Sequence, residues 1–161
     1  MTIRTEPLTK DAFTPYGDVL DASGSSPKII NQGKCERHHD LAKLDVTDGR
    51  AGVSIFNAEP RSLPYTLDLV ERHPDGAQTF IPMSEHPFLI IVASDTNGTP
   101  TDIRAFISNG AQAINFHKNT WHGVLTPLHA SGLFAVVDRI GNGPNLEEHW
   151  LEQPIIINEP N

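Results

Sequence analysis

Two short stretches of the chain bring together side chain types able to move protons or bind a metal. "LVERHPDGAQTF" (69–80) carries Glu71, His73 and Gln78, and "NFHKNTWHGVL" (115–125) carries His117 and His122. A carboxylate, two imidazoles and an amide oxygen form a donor set for a divalent first-row metal. The carboxylate and imidazoles are also general acid–base groups, since an unperturbed imidazole titrates at roughly 6.5. Glu71 and His73 are two residues apart, so strand geometry puts them on one face, with Leu67 and Leu69. Burying them there without partners is costly, which favours a functional reading. His117 is expected at the rim, as a strand cap. His38, His39, His86 and His129 lie among polar or loop residues and read as surface groups, and Trp121 reads as core.

These residues need strands and turns to bring them together. Pro74-Asp75-Gly76 is a turn signal, with glycine expected in the left-handed position. A hairpin at this point would place Glu71 and His73 at the end of one strand and Gln78 at the start of its partner. Lys118-Asn119-Thr120 forms a second turn, delivering His122 to a following strand. The chain has 13 prolines and 12 glycines, which break it into short segments. Candidate strands fall at 28–32, 51–58, 63–73, 77–82, 88–94, 102–108, 112–117, 122–127, 133–140 and 155–158. Thr9 is a candidate N-cap for one helical turn ended by Pro15 and Gly17, and 147–153 reads as a second helical turn. The glycine-rich stretch 139–145 reads as a loop. The expectation is a single all-β domain over 1–161, an antiparallel barrel or jelly roll with few short helices, whose inward face gathers Glu71, His73, Gln78 and His122.

Composition narrows the function. Twelve Lys and Arg against 20 Asp and Glu give a formal charge of −8, with no basic run. That excludes the basic face needed to bind nucleic acid or an anionic membrane. The single cysteine, Cys35, cannot form an internal disulfide. No apolar stretch is long enough for a signal peptide or a membrane span, so a cytoplasmic location is expected.

The segments "AFTPYGDVL", "INQGKCERHHDLA", "ERHPDGAQTFIPM", "RAFISNG", "NFHKNTWHGVL" and "VVDRIG" extend from residue 12 to about 141. In combination they resemble the ureidoglycolate lyase family of the cupin superfamily. Cupins usually present H-x-H, a later glutamate and a histidine in a second motif. On this chain those positions hold Glu71 and His73, then Gln78, then His122, departures themselves typical of the lyase branch. The resemblance implies a metal site at Glu71, His73, Gln78 and His122. Glutamine is a neutral and weaker ligand than glutamate, so the site is expected to hold metal loosely or to take substrate oxygens. The resemblance further implies a cupin-type β-barrel, a homodimer, a divalent metal such as nickel, and conversion of ureidoglycolate to glyoxylate and urea in allantoin and purine breakdown.

This chemistry suits the residues. Eliminating urea from a carbinolamide needs a base for the hydroxyl proton and an acid for the departing nitrogen, and Glu71, His73 and His122 are the candidates. The substrate is an anion, so Arg37, Arg72 and Lys118 are candidate contacts for its carboxylate, with Arg139 in a further matching segment. Strict alternation turns Arg72 away from Glu71 and His73. Two other functions compete with the lyase. One is a metal-dependent amidohydrolase releasing ammonia from the same substrate, and the other is a non-catalytic cupin that binds a small acid.

Overall fold

A computed structural model of the protein describes residues 1–24 and 26–160. The chain is almost entirely β. Its strands are β1 (Thr2–Pro7), β2 (Gly17–Leu20), β3 (Lys28–Ile30), β4 (Cys35–Arg37), β5 (Arg50–Asn57), β6 (Tyr65–Arg72) and β7 (Gln78–Pro82). There follow β8 (Phe88–Thr96), β9 (Thr99–Ile107), β10 (Ala113–Phe116), β11 (Trp121–His122), β12 (Thr126–Pro127), β13 (Leu133–Ile140) and β14 (Glu147–Asn158). The helical turn α1 spans Lys10–Phe13, and the Thr9 hydroxyl accepts from the Ala12 amide at 3.3 Å, as its N-cap role predicts.

Strands β11, β6, β14, β1, β9 and β8 follow one another by hydrogen bonding, and a β11–β8 pairing closes them into a six-stranded ring. Most pairs are antiparallel, but β1 runs parallel to both β14 and β9. A five-stranded sheet, ordered β2-β10-β7-β13-β5, forms the second layer. Two apolar clusters follow from this layering. Leu67, Val70, Leu89, Ile91, Ala105, Trp121 and Ile157 come from ring strands and fill the ring. Phe80, Ile90, Val92, Phe106, Ile114, Phe116 and Val136 pack between the ring and the five-stranded sheet. Along β8, Leu89, Ile91 and Ala93 therefore belong to the ring, while Phe88, Ile90 and Val92 face the second sheet. This is the period-two rule at work on a strand buried on both sides.

Several expectations are corrected. The turn after His73 does not close a hairpin. β6 pairs with β14 and β11, whereas β7 pairs with β10 and β13, so the turn carries the chain from one sheet to the other. Gly76 is not among the residues with positive φ. Glycine is required there for space, because a Cβ would lie 2.8 Å from the Arg139 Cβ. The segment 147–153 is strand, not helix: β14 pairs with β6, and this tertiary pairing overrides the helix-forming residues. Its register shifts between Trp150 and Ile155, which is where Pro154 is accommodated. β1, β2 and β4 lie outside the expected strands, and the segment 122–127 is two short strands, β11 and β12, rather than one continuous element.

Candidate active site

Ring closure builds the site. His122 pairs with Glu71 across β11 and β6, and with Val92 across β11 and β8. Residues opposite one another share a face, so His122 and Glu71 look the same way as Val92, toward the second sheet. Phe116 of that sheet lies flat on the His122 ring, 4.2 Å between centroids and 5° from parallel. Leu67 and Val70 pack in the same ring cluster although three residues apart, so the alternation slips between them. That slip, opposite the irregular part of β14, separates Glu71 from the leucine face on which strict alternation had placed it. The cluster accordingly lies between the two sheets and not inside the ring.

His73, just beyond the end of β6, completes the group. One ligand atom from each of Glu71, His73 and His122 lies within 4.8 Å of the others. The two imidazole rings are 5.2 Å apart. His73 Nδ1 is 2.7 Å from the Asn145 carbonyl oxygen, and His122 Nδ1 is 3.0 Å from the Gly123 carbonyl. A carbonyl only accepts, so each Nδ1 carries its hydrogen, and in the neutral ring the lone pair is then on Nε2. Both Nε2 atoms are buried without a partner. Asn145 also accepts from the Asp75 amide through its side chain at 2.7 Å, and the Asn119 amide donates to the His73 carbonyl at 2.9 Å. The loops at 74–76, 118–120 and 141–146 thereby hold His73, the expected loop at 139–145 beginning only after Ile140, the end of β13.

Electrostatics agree with a ligand set. Burial, then the neighbouring His73, push the His122 imidazole down to about 3, against a smaller opposing effect of the Gly123 carbonyl. It is neutral across the physiological range, the state in which imidazole binds metal. Burial raises the Glu71 carboxyl above its usual range and Glu148 adds to this, while His73 opposes it. Glu148 pairs with Glu71 in register and brings a second carboxylate to the exposed edge of the cluster. Two imidazole nitrogens without hydrogen-bond partners among the described residues and a half-buried carboxylate fit a divalent cation by donor type and by closeness.

The other candidates lie as follows. Gln78 is buried at the start of β7, opposite Phe116. Its amide nitrogen donates to Asp138 Oδ2 at 3.3 Å and its oxygen has no partner. Arg72 points to the other side of β6, where it bonds Asp95 at 3.0 Å and Glu147, and lies 4.3 Å over the Trp121 ring. Arg37 is exposed on the β3–β4 hairpin. Lys118 Nζ donates to the Thr47 hydroxyl at 2.8 Å. Arg139 is committed to the carbonyls of Thr47, Asp48 and Asn142. His117 does not join the cluster; its Nε2 is 3.0 Å from Asp18. Asn145 and Asp138 were missed by sequence reasoning. A backbone carbonyl such as that of Asn145 leaves no side-chain signal. Asp138 did leave one, standing two and four residues after the apolar Val136 and Phe134 on the same strand face.

Comparison with known proteins decides the family. The ureidoglycolate lyase family model matches residues 1–158. The chain belongs to the ureidoglycolate lyase family. A ureidoglycolate lyase of Rhodobacter capsulatus is 52% identical over 153 residues, 94% of this chain and 95% of the relative. One from a Chelativorans species is 49% identical over 160 residues, covering 98% and 97% respectively. A third, from Agrobacterium fabrum, is 44% identical over 160 residues, covering 98% and 96%. Membership of this family makes the chain a lyase.

Proposed function

We propose that the protein eliminates urea from ureidoglycolate to leave glyoxylate, with Glu71, His73 and His122 as the catalytic centre. The observation that carries this reading is the meeting of half-buried Glu71 and His73 with buried His122, both imidazole Nε2 atoms lacking a hydrogen-bond partner among the described residues, in a chain of this family. The hydroxyl proton must leave oxygen, the C–N bond must break as the carbonyl forms, and the departing nitrogen must gain a proton. One proton moves from oxygen to nitrogen, and no water is consumed. Glu71 suits this transfer. Its raised pKa brings proton uptake and release closer to neutrality, and its two oxygens let one act on the substrate while the other joins the ligand set. His122 is too weak a base to serve as the acid, so it positions and binds.

His73, His122 and Glu71, with Gln78 as a fourth donor, would hold a divalent metal such as nickel. When bound, such an ion polarises a substrate oxygen and makes the hydroxyl easier to deprotonate. Lys118 is the favoured contact for the substrate carboxylate. Among the described residues its ammonium meets only a neutral hydroxyl, and the next residue, Asn119, is bonded to the His73 carbonyl. Arg37 has no carboxylate partner among the described residues and is the second choice. Arg72 is already held by two carboxylates.

The reading extends to a single-domain, cytoplasmic homodimer acting in allantoin breakdown. None of the described helices is long and apolar enough to cross a membrane.

The test is product analysis. Purified protein given ureidoglycolate should release urea and glyoxylate in equal amounts, without ammonia. Ammonia without urea, in a preparation free of urease, would replace elimination by amide hydrolysis. Lys118→Ala should raise KM several-fold with a smaller effect on kcat, and an unchanged KM would remove Lys118 from the substrate contacts.

A further inference from the structure

Gln78 stands where cupins usually place a glutamate, and its surroundings give a physical reason. Asp138, on β13, lies one residue beyond the Val137–Thr79 pair and so beside Gln78. On the far side Asp138 pairs with Gly52, which has no side chain to compete for it. On the other flank Gln78 pairs with Phe116, the ring that lies on His122. Gln78 is 7% exposed, its Nε2 donates to Asp138 Oδ2 at 3.3 Å, and its Oε1 is buried with no partner.

A carboxylate only accepts hydrogen bonds, whereas a primary amide donates at one end and accepts at the other. Asp138 therefore fixes which end of Gln78 it takes. The NH2 must face Asp138, and the oxygen must face away. A glutamate at position 78 would set carboxylate against carboxylate at this distance. We infer that Asp138 is a positioning residue, which orients the Gln78 amide so that its carbonyl oxygen is presented to the metal-binding cluster of Glu71, His73 and His122. Glutamine is then the neutral connector between an acceptor-only carboxylate and a site that needs a lone pair. Carboxylates that act through another ligand in this way commonly alter metal affinity by about 10- to 100-fold. The inference rests on the reading that the cluster holds a divalent metal.

Nickel titration of metal-free protein by isothermal calorimetry tests it, with thermal melts run in parallel. Asp138→Ala and Gln78→Ala should each weaken nickel binding about 10-fold. The double variant should bind no more weakly than Gln78→Ala alone, because Asp138 acts only through that amide. Asp138→Asn keeps an acceptor for Gln78 and should stay within about three-fold of the wild type, whereas a purely electrostatic role would cost it as much as Asp138→Ala. Additive losses in the double variant would overturn the inference. So would wild-type affinity in Asp138→Ala while His122→Ala binds no ion, and then only the positioning role falls. If wild-type protein takes up no nickel, the metal reading and the inference fall together. Should Asp138→Ala not fold, Asp138→Asn against Gln78→Ala decides: equal losses in the two refute the positioning role.

Discussion

At the scale of single residues, the site depends on one imidazole, His122, kept neutral by burial. His122 is pushed down to about 3 in the folded protein, while in the unfolded chain it returns to roughly 6.5. Between these values the unfolded chain binds the proton and the folded one does not. Stability of the metal-free protein must therefore fall as pH drops from about 6.5 toward 3, by at most about 1.4 kcal/mol per unit from this one group. His122→Phe removes that contribution while keeping a ring against Phe116. Chemical denaturation of both proteins from pH 7 to 4 should show the difference between them narrowing in favour of the variant, and parallel curves would mean that His122 titrates normally. For the chemistry itself, Glu71→Gln keeps the shape and removes the proposed proton carrier. It should lower kcat by at least about 100-fold, in the range of general acid–base contributions, with little change in melting temperature. Near-normal turnover would exclude Glu71 from proton transfer. Glu71 and His73 were legible in the sequence as polar groups ending an apolar strand and His122 as one following a turn, although the leucine face that strict alternation gave Glu71 is not the one it occupies. Asn145 was not legible, since its contribution to His73 is a backbone oxygen.

At the scale of elements, the sequence showed most strands but not which of them pair. The Pro74-Asp75-Gly76 turn looks locally like a hairpin, and only long-range pairing decides that β6 and β7 enter different sheets. The same holds for β14, whose glutamates and tryptophan carry no alternation strong enough to mark a strand. What ties the second sheet to the loop at 43 is a buried polar chain. The Thr79 hydroxyl donates to Asn115 at 2.7 Å, and the Asn115 amide donates to Asp18 at 2.9 Å and to the Lys43 carbonyl at 3.0 Å. Asp18 further accepts from the Lys43 amide and meets His117, each at 3.0 Å. Burial pushes the Asp18 carboxyl up, but the bonds from Asn115, Lys43 and His117 outweigh it and leave it below the usual 3.8. A depressed folded value means that the stabilisation is present above 3.8 and lost as pH falls through the lower, folded value. Asp18→Ala should cost about 1–3 kcal/mol at pH 7, the range for losing bonds to a charged group. The gap between variant and wild type should close at acid pH. A gap independent of pH would show that the site contributes packing alone.

At the scale of the whole molecule, the outer face of the five-stranded sheet is the feature that a lone chain leaves unexplained. β5 is its edge strand, with one side of its backbone unpaired. Val53 is 74% exposed and Ile55 58% exposed on this strand. Ile55 pairs with Ala135 and Ala135 with Ile81, giving an apolar row across three strands, and Ile81 is itself 40% exposed. Exposed apolar edges invite pairing with another chain unless charge or proline blunts them, and Val53 and Ile55 do neither. A second copy placed against this face would bury the row and satisfy β5, forming an isologous contact around a two-fold axis. Ile55→Asp should therefore convert a dimer to monomer in sedimentation at micromolar concentration, while the isolated chain keeps its β-rich circular dichroism. Its activity should fall less steeply than its association, since no group of the cluster comes from β5. A wild-type protein that sediments as a monomer, or an Ile55→Asp dimer as tight as the wild type, would show that this face is left to solvent.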